Sequence, residues 1–157
     1  MGLEDSQSEV NEFGLMFDEQ AWPLLYIRFP AKGLNDESLE AFIERYDEYL
    51  DRREPFAAIS DSRGVLKAIN ANQRKRMVVW FEKTWNVAKK YNVANAVLLK
   101  SAMVRGALTA VFWMKAPPGP TKAFGSVAEA APWLRERLEA AGVTITPEME
   151  RVLSGRL

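Results

Sequence analysis

Apolar and polar positions alternate with two different periods along the chain, and these periods predict the order of its elements. Short runs that are wholly apolar, or apolar at every second position, are typical of strands, whereas spacings of three and four are typical of helices. Strands are predicted over residues 13–17, 22–29, 56–59, 93–99 and 122–124. Helices are predicted to begin at Asn35 or Asp36, Asn70, Ser101, Ser126 and Thr146.

The predicted order, ββαβαβαβα followed by a last short helix, indicates the fold class. Strands that alternate with helices form an α/β sheet joined by right-handed crossovers. At 157 residues the chain is long enough for one domain with its own core. We therefore expect an α/β fold with a sheet of about five strands and four helices, plus a short C-terminal helix. A flexible tail is predicted over residues 1–12, the domain over 13–140 and a helical extension over 141–157.

The third predicted helix differs from the others because it is apolar on most sides, from Ser101 to about Met114. A helix that is apolar all round is usually buried, so we expect it to lie largely in the core. Four tryptophans on or beside helical stripes are also expected in the core, and any one that stays exposed would mark an interface. These tryptophans are Trp80, Trp85, Trp113 and Trp133.

Charge is distributed unevenly, although 21 basic and 21 acidic side chains give a formal net charge of zero. Residues 1–61 hold 5 basic and 15 acidic side chains, and residues 62–100 hold 9 basic and 1 acidic. The first predicted helix is acidic on its outer face and the second is basic. Either the acidic and basic elements face each other within one fold or lie on solvated faces, or the two signs steer a protein partner or a head-to-tail self-contact.

The chain contains no His and no Cys, and these absences exclude several classes of site. Disulfides, zinc clusters, thiolate nucleophiles and Ser-His-Asp or Cys-His relays all need one of these residues. No metal site, cofactor or catalytic residue is therefore predicted, and we expect the chain not to be an enzyme. Nucleic-acid binding is not expected either, because the consecutive basic residues 74–76 point in different directions on a helix.

Neither a secretory signal nor a membrane span is expected from the sequence. The first residues are acidic and lack an apolar stretch, and the longest apolar run, 107–114, is far shorter than the roughly 20 residues of a span. We therefore expect a cytoplasmic protein without membrane insertion.

Three segments together with the element order suggest a family. A short predicted strand ends in Asp-Ser-Arg-Gly at 61–64, the third helix starts with Ser-Ala-Met-Val-Arg-Gly at 101–106, and Phe-Gly-Ser leads at 124–126 into Glu-Ala-Ala-Pro-Trp-Leu at 129–134. Over roughly residues 13–140 the chain resembles the STAS (sulfate transporter and anti-sigma-factor antagonist) superfamily. It is most similar to the bacterial SpoIIAA-like branch, which is often grouped with SEC14-like domains.

The resemblance implies helices packed mainly on one face of a mixed sheet and signalling through protein–protein contact. In STAS antagonists, a Ser at the start of a helix is phosphorylated by a partner kinase, and its charge decides which partner binds. Ser62 matches that position, with Arg63 where the family has a second Ser. An alternative alignment puts the site near residues 70–72, where no side chain accepts a phosphate.

Four residues are candidates for binding an anion or a ligand: Asp61, Arg63, Ser101 and Arg105. Arg63 or Arg105 could pair with a phosphate on Ser62 beside Asp61, and the plainer interpretation is that Asp61 and Ser62 form a turn. Ser101 and Arg105 lie in the first turn of the third helix, where backbone N–H groups attract anions. The plainer interpretation is that Ser101 only caps this helix.

Three functions from different classes remain open. The first is a regulatory module that binds a kinase, an anti-sigma-factor-like protein or a second copy of itself as a homodimer, with Ser62 as a switch. The second is a SEC14-like carrier of a small apolar or anionic ligand or a lipid. The third is an enzyme that uses carboxylates or Lys.

Overall fold

The structure is a computed structural model that describes residues 8–156. Its strands are β1 (Ser8–Val10), β2 (Met16–Asp18), β3 (Leu24–Arg28), β4 (Phe56–Asp61), β5 (Asn92–Leu98) and β6 (Thr121–Phe124). Its helices are α1 (Asp36–Leu50), α2 (Ala71–Tyr91), α3 (Ala102–Met114), α4 (Val127–Ala140) and α5 (Pro147–Leu153).

The strands form one sheet in which spatial order follows chain order from β1 to β6. β1, β2 and β3 pair antiparallel, and β3 to β6 pair parallel, so the predicted α/β class and mixed sheet are confirmed. The described sheet has six strands because Ser8–Val10 pairs with β2, inside the stretch predicted as a flexible tail. The rest of that stretch, residues 1–7, lies outside the described residues.

The helices cover both faces of the sheet unequally. Residues of α1, α2 and the buried side of α3 belong to one core, so these three helices lie on the same face of the sheet, in agreement with the expectation of helices mainly on one face. α4 follows the edge strand β6 and packs on the opposite face together with α5. Side chains of β4 alternate between the two cores, with Phe56 and Ala58 toward the α1–α2 side and Ala57 and Ile59 toward α4.

The short helix α5 belongs to the same body as the sheet. Its apolar residues Met149, Val152 and Leu153 are buried in the core that α4 closes. The apolar side of the predicted extension is therefore occupied by its own chain.

The acidic helix α1 and the basic helix α2 lie side by side. Arg76 on α2 donates two hydrogen bonds to Glu40 on α1, at 2.6 and 2.8 Å. The indole of Trp80 donates to Asp47 at 2.8 Å. Part of the uneven charge is therefore neutralised inside the helical layer, as the first of the two interpretations predicts.

The expectation that α3 is largely buried is wrong. Only one side of this helix is buried, with Val104, Ala107 and Val111, whereas Trp113 is 87% exposed, Met103 68% and Met114 50%. α3 is the last helix of its layer, so α2 covers it on one side and no described helix covers the other. The expectation of a core position holds for Trp80 but not for Trp113, and Trp85 and Trp133 are half-buried.

Candidate functional site

The carboxyl ends of β4 and β5 meet, as expected for parallel neighbours. The backbone N–H of Ser62 donates to the carbonyl of Leu98 at 2.9 Å. The turn after β4 and the turn before α3 therefore lie next to each other. This edge holds three of the five predicted site residues, namely Asp61, Ser62 and Arg63.

Asp61 is a buried carboxylate whose oxygens are already occupied. It accepts hydrogen bonds from Arg63 Nε at 3.0 Å, from Arg63 Nη2 at 2.8 Å and from the Arg63 backbone N–H at 3.1 Å, and a fourth from the Tyr26 hydroxyl. Burial by itself would raise the pKa of Asp61, but the hydrogen bonds from Arg63 and Tyr26 outweigh burial and lower the pKa. Asp61 therefore stays charged as an anchor for this turn.

The predicted anion-binding residues do not converge on Ser62. The guanidinium of Arg63 forms an ion pair with Asp61 and is therefore not directed at Ser62. Ser62 lines the opposite side of the sheet, where it borders a cavity. Ser101 caps α3, because its hydroxyl accepts from the backbone N–H of Val104 at 3.3 Å, and Arg105 is exposed on the outside of that helix. The five predicted residues therefore do not form one pocket. Asp61, Ser62 and Arg63 form a hydrogen-bonded turn, Ser101 caps α3, and Arg105 is a surface cation.

An apolar cavity of about 160 Å³ lies between the sheet and the helical layer. Its floor is formed by residues of β4 and β5, including Ser60, Asn95 and Val97, and its walls by α1, α2 and α3. Ligand pockets for drug-sized molecules start at roughly 300 Å³. The cavity is therefore too small for a lipid, and this disfavours the lipid-carrier alternative.

A short polar network crosses one end of the cavity floor. The hydroxyl of Tyr46 lies 3.0 Å from Asn95 Oδ1 and 3.3 Å from Asn92 Oδ1, and Asn95 Nδ2 donates to Thr121 Oγ1 at 3.3 Å. Burial raises the pKa of Tyr46, so its phenol stays neutral and donates. Sequence reasoning missed this network, although Asn92 and Asn95 stand out as two amides within an otherwise apolar strand.

A second candidate region is the outer side of α3. Residues at steps of three, four and three share one side of a helix, and here they combine exposed large and small apolar groups. These four residues, Met103, Gly106, Ala110 and Trp113, form with the adjacent Met114 what we call the α3 surface, in which all residues are exposed except the half-buried Ala110. It contains no charged residue.

The neighbouring helix α2 adds positive charge to the helical layer that contains α3. α2 packs beside α3, and the Nζ of Lys115 after α3 lies 4.4 Å from the ring centre of Trp85 on α2. α2 has one acidic residue, Glu82, and exposes four lysines: Lys75, Lys83, Lys89 and Lys90. The helical layer therefore exposes basic residues on α2 and apolar residues on α3.

No protein-family model, characterised protein or solved structure matches this chain. Within residues 8–156, no group of acidic side chains could hold a metal ion, and no helix combines the length and apolar character needed to cross a bilayer. The cavity has no acidic residue in its lining, and the oxygens of Asp61 are occupied. The enzyme alternative therefore gains no support from the carboxylates of this region.

Proposed function

We propose that this protein is a non-catalytic regulatory module that binds another protein through the α3 surface. The observation that carries the proposal is the exposure of Trp113. Its side chain is 87% exposed and lies on the same side of α3 as the exposed Met103 and Met114. The proposed role agrees with the STAS resemblance, which implies signalling by contact, and we propose that the module acts in the cytoplasm of a bacterium.

Leaving these side chains in water is unfavourable, and a partner would remove that cost. A tryptophan buries up to about 250 Å² in a packed environment, and tryptophan is enriched among the residues that dominate binding energy at interfaces. Contiguous exposed apolar groups rimmed by polar ones are typical of protein interaction sites. The α3 surface has this composition.

Charge indicates what kind of partner fits. α2 exposes lysines in the same helical layer as the α3 surface, so a segment with acidic residues beside its apolar ones would complement this layer. Positive charge on α2 also speeds the encounter with an acidic partner. We therefore assign an acidic amphipathic segment of another protein as the occupant of this surface.

Ser62 is the proposed switch of this module. It borders the same cavity as Val104 in the first turn of α3, and phosphorylation would add about −1.5 to −2 charges there. Charge on this apolar wall would disturb the packing of α3 against the sheet and would therefore change the position of the α3 surface. Arg63, held by Asp61, would not neutralise it.

Affinity capture with matched variants tests the proposal. The wild type, Trp113→Ser and Val10→Ser are each used as bait in extract of the native host, and the captured proteins are quantified by mass spectrometry. Val10 is a fair control because it is 60% exposed, apolar and located on the opposite edge strand. We expect Trp113→Ser to lose one or more proteins that Val10→Ser retains, each with an acidic segment, and Ser62→Asp to change the capture of the same proteins.

Other occupants of the α3 surface would give different results. A second copy would show as a dimer in solution that Trp113→Ser converts to a monomer. A membrane would show as sedimentation with vesicles of phosphatidylglycerol and phosphatidylcholine that Trp113→Ser abolishes. Identical capture by Trp113→Ser and Val10→Ser would contradict the proposal.

A further inference from the structure

The cavity beneath α2 and α3 has a size that matches a compact molecule. Its volume is about 160 Å³. An engineered protein cavity of roughly 150 Å³ with an apolar lining holds one benzene molecule and stays free of water. A single aromatic ring is therefore the largest rigid group that this cavity is expected to take without rearrangement.

The walls favour an aromatic guest over an aliphatic one. Six aromatic rings contribute to the lining, and rings attract each other in tilted and edge-to-face arrangements beyond the gain from burial. Two pairs among them already adopt such geometry, since Phe42 and Tyr46 each meet Trp80 nearly edge-on. The aromatic lining residues are Phe29, Phe42, Tyr46, Trp80, Phe81 and Phe112.

The floor of the cavity offers hydrogen-bonding groups that the fold does not use. Ser60 points to this side of β4, in register with Phe56 and Ala58 of the same core, and Ser62 follows on the same side. Within the described part of the chain, neither hydroxyl makes a hydrogen bond. A hydroxyl that borders an apolar cavity can donate to or accept from a polar group on a guest.

We infer that this cavity binds a compact aromatic molecule with one hydrogen-bonding substituent, its ring between α2, α3 and the sheet and its polar group at Ser60. Among residues 8–156, Lys67 is the one charged residue of the lining, so a neutral or anionic guest is accommodated and a cationic one is not. This binding site is distinct from the α3 surface and does not depend on the function proposed for it.

Titration with phenol and toluene, followed by ¹H–¹⁵N NMR spectra of the full chain, tests the inference. We expect saturable shifts with both probes, concentrated in residues of β4, β5, α2 and α3 around the cavity. Ser60→Ala should weaken phenol binding by about twofold to tenfold, the ratio that one neutral hydrogen bond gives, and leave toluene binding unchanged.

Two filling variants serve as controls for the location of the site. Ala107→Leu on α3 and Ala88→Leu on α2 each add volume at a buried lining residue. If at least one of them folds, as judged by its near-ultraviolet circular dichroism, it should lose saturable binding of both probes. Undiminished binding by a folded filling variant, shifts scattered over the surface, or no saturable shift in the wild type would overturn the inference.

Discussion

Asp61 illustrates how one residue stabilises the edge of the sheet on which the candidate regions depend. Its buried carboxylate accepts from Tyr26 on β3 and from three donors of Arg63, so it ties two strands and the following turn together. Hydrogen bonds to a charged group contribute about 1.5–3 kcal/mol each in mutational series. Removing one partner leaves the remaining buried donors or acceptors without a hydrogen bond.

Replacement of Asp61 tests this role. We expect Asp61→Asn to lower the free energy of unfolding by about 1–3 kcal/mol, because an amide cannot accept from Arg63 and Tyr26 as the carboxylate does. Urea denaturation at neutral pH measures the change. Glu40→Gln is the matched control, since Glu40 and Arg76 form an exposed pair worth less than about 1 kcal/mol. Equal losses in both variants would show that burial of Asp61 adds nothing.

The sequence places Asp61, Ser62 and Arg63 at one turn, and the structure confirms the turn while separating their side chains. Successive residues of a strand point to opposite faces, and β4 extends to Asp61 instead of ending at Ile59. Asp61 therefore faces α4 and Ser62 faces the cavity. Strand length could not be predicted here, because pairing with β3 and β5 extends β4 into a polar segment.

At the level of elements, the two sides of α3 have different roles: the inner side packs in the core, and the outer side is the proposed binding surface. Val111 is completely buried in the core with α1 and α2, whereas Trp113 two residues later is in solvent. The inner side therefore stabilises the fold, and the outer side is free to bind.

A pair of substitutions on α3 tests this division. We expect Trp113→Ser to change the free energy of unfolding by no more than about 0.5 kcal/mol, as exposed substitutions generally do. Val111→Ala should cost about 1–3 kcal/mol, because it leaves a cavity in the core. Thermal and urea unfolding measure both. A large loss from Trp113→Ser would mean that the indole packs within the domain, which would remove the basis for the α3 surface.

The helix ends were predictable from local chemistry, but the burial of α3 was not. Asn70 accepts from the backbone of Gln73, and Gln73 accepts in return, as the capping box in the sequence predicts. Apolar content alone assigns α3 to the core. Its exposure follows from its position at the end of a layer, which depends on the order of strands in space. The sequence pattern carries no record of that order.

For the whole molecule, the absence of His and Cys means that no side chain has an ordinary pKa between about pH 5 and pH 8. The pH dependence of stability is therefore expected to come from carboxylates at low pH and from tyrosines at high pH. The carboxylate of Asp61 has a lowered pKa, because hydrogen bonds from Arg63 and Tyr26 outweigh the opposing effect of burial. Burial raises the pKa of Tyr26 and of Tyr46 above the ordinary value near 10. It also raises the pKa of Tyr49 to about 12.

These shifts predict a stability plateau from about pH 5 to pH 9. Asp61 contributes stability above the unfolded carboxyl pKa near 4, and this contribution is lost as pH falls through its lower folded pKa. The tyrosines stabilise fully below pH 10 and lose this contribution as pH rises, each with a slope of up to about 1.4 kcal/mol per pH unit. Urea unfolding across pH 3–12 measures the profile, and Tyr49→Phe should reduce the alkaline slope. A steep change between pH 6 and 8 would contradict it.

The uneven charge and the cavity also belong to the whole molecule. Adjacent packing of α1 and α2 explains part of the charge distribution, which two successive helices in sequence already suggested. The cavity with Tyr46 and Asn95 depends on how three helices meet the sheet, and these contacts join residues far apart in the chain. Spacing along the chain could not predict it.

Site-specific photo-crosslinking in living cells of the native host tests the central claim most directly. A photoreactive residue in place of Ala110, in the middle of the α3 surface, is compared with the same residue in place of Val10 at the opposite edge of the sheet. We expect a discrete crosslink from position 110 to a protein with an acidic amphipathic segment, absent from position 10 and lost when Trp113→Ser is added. No crosslink from position 110, or the same crosslinks from both positions, would contradict the account.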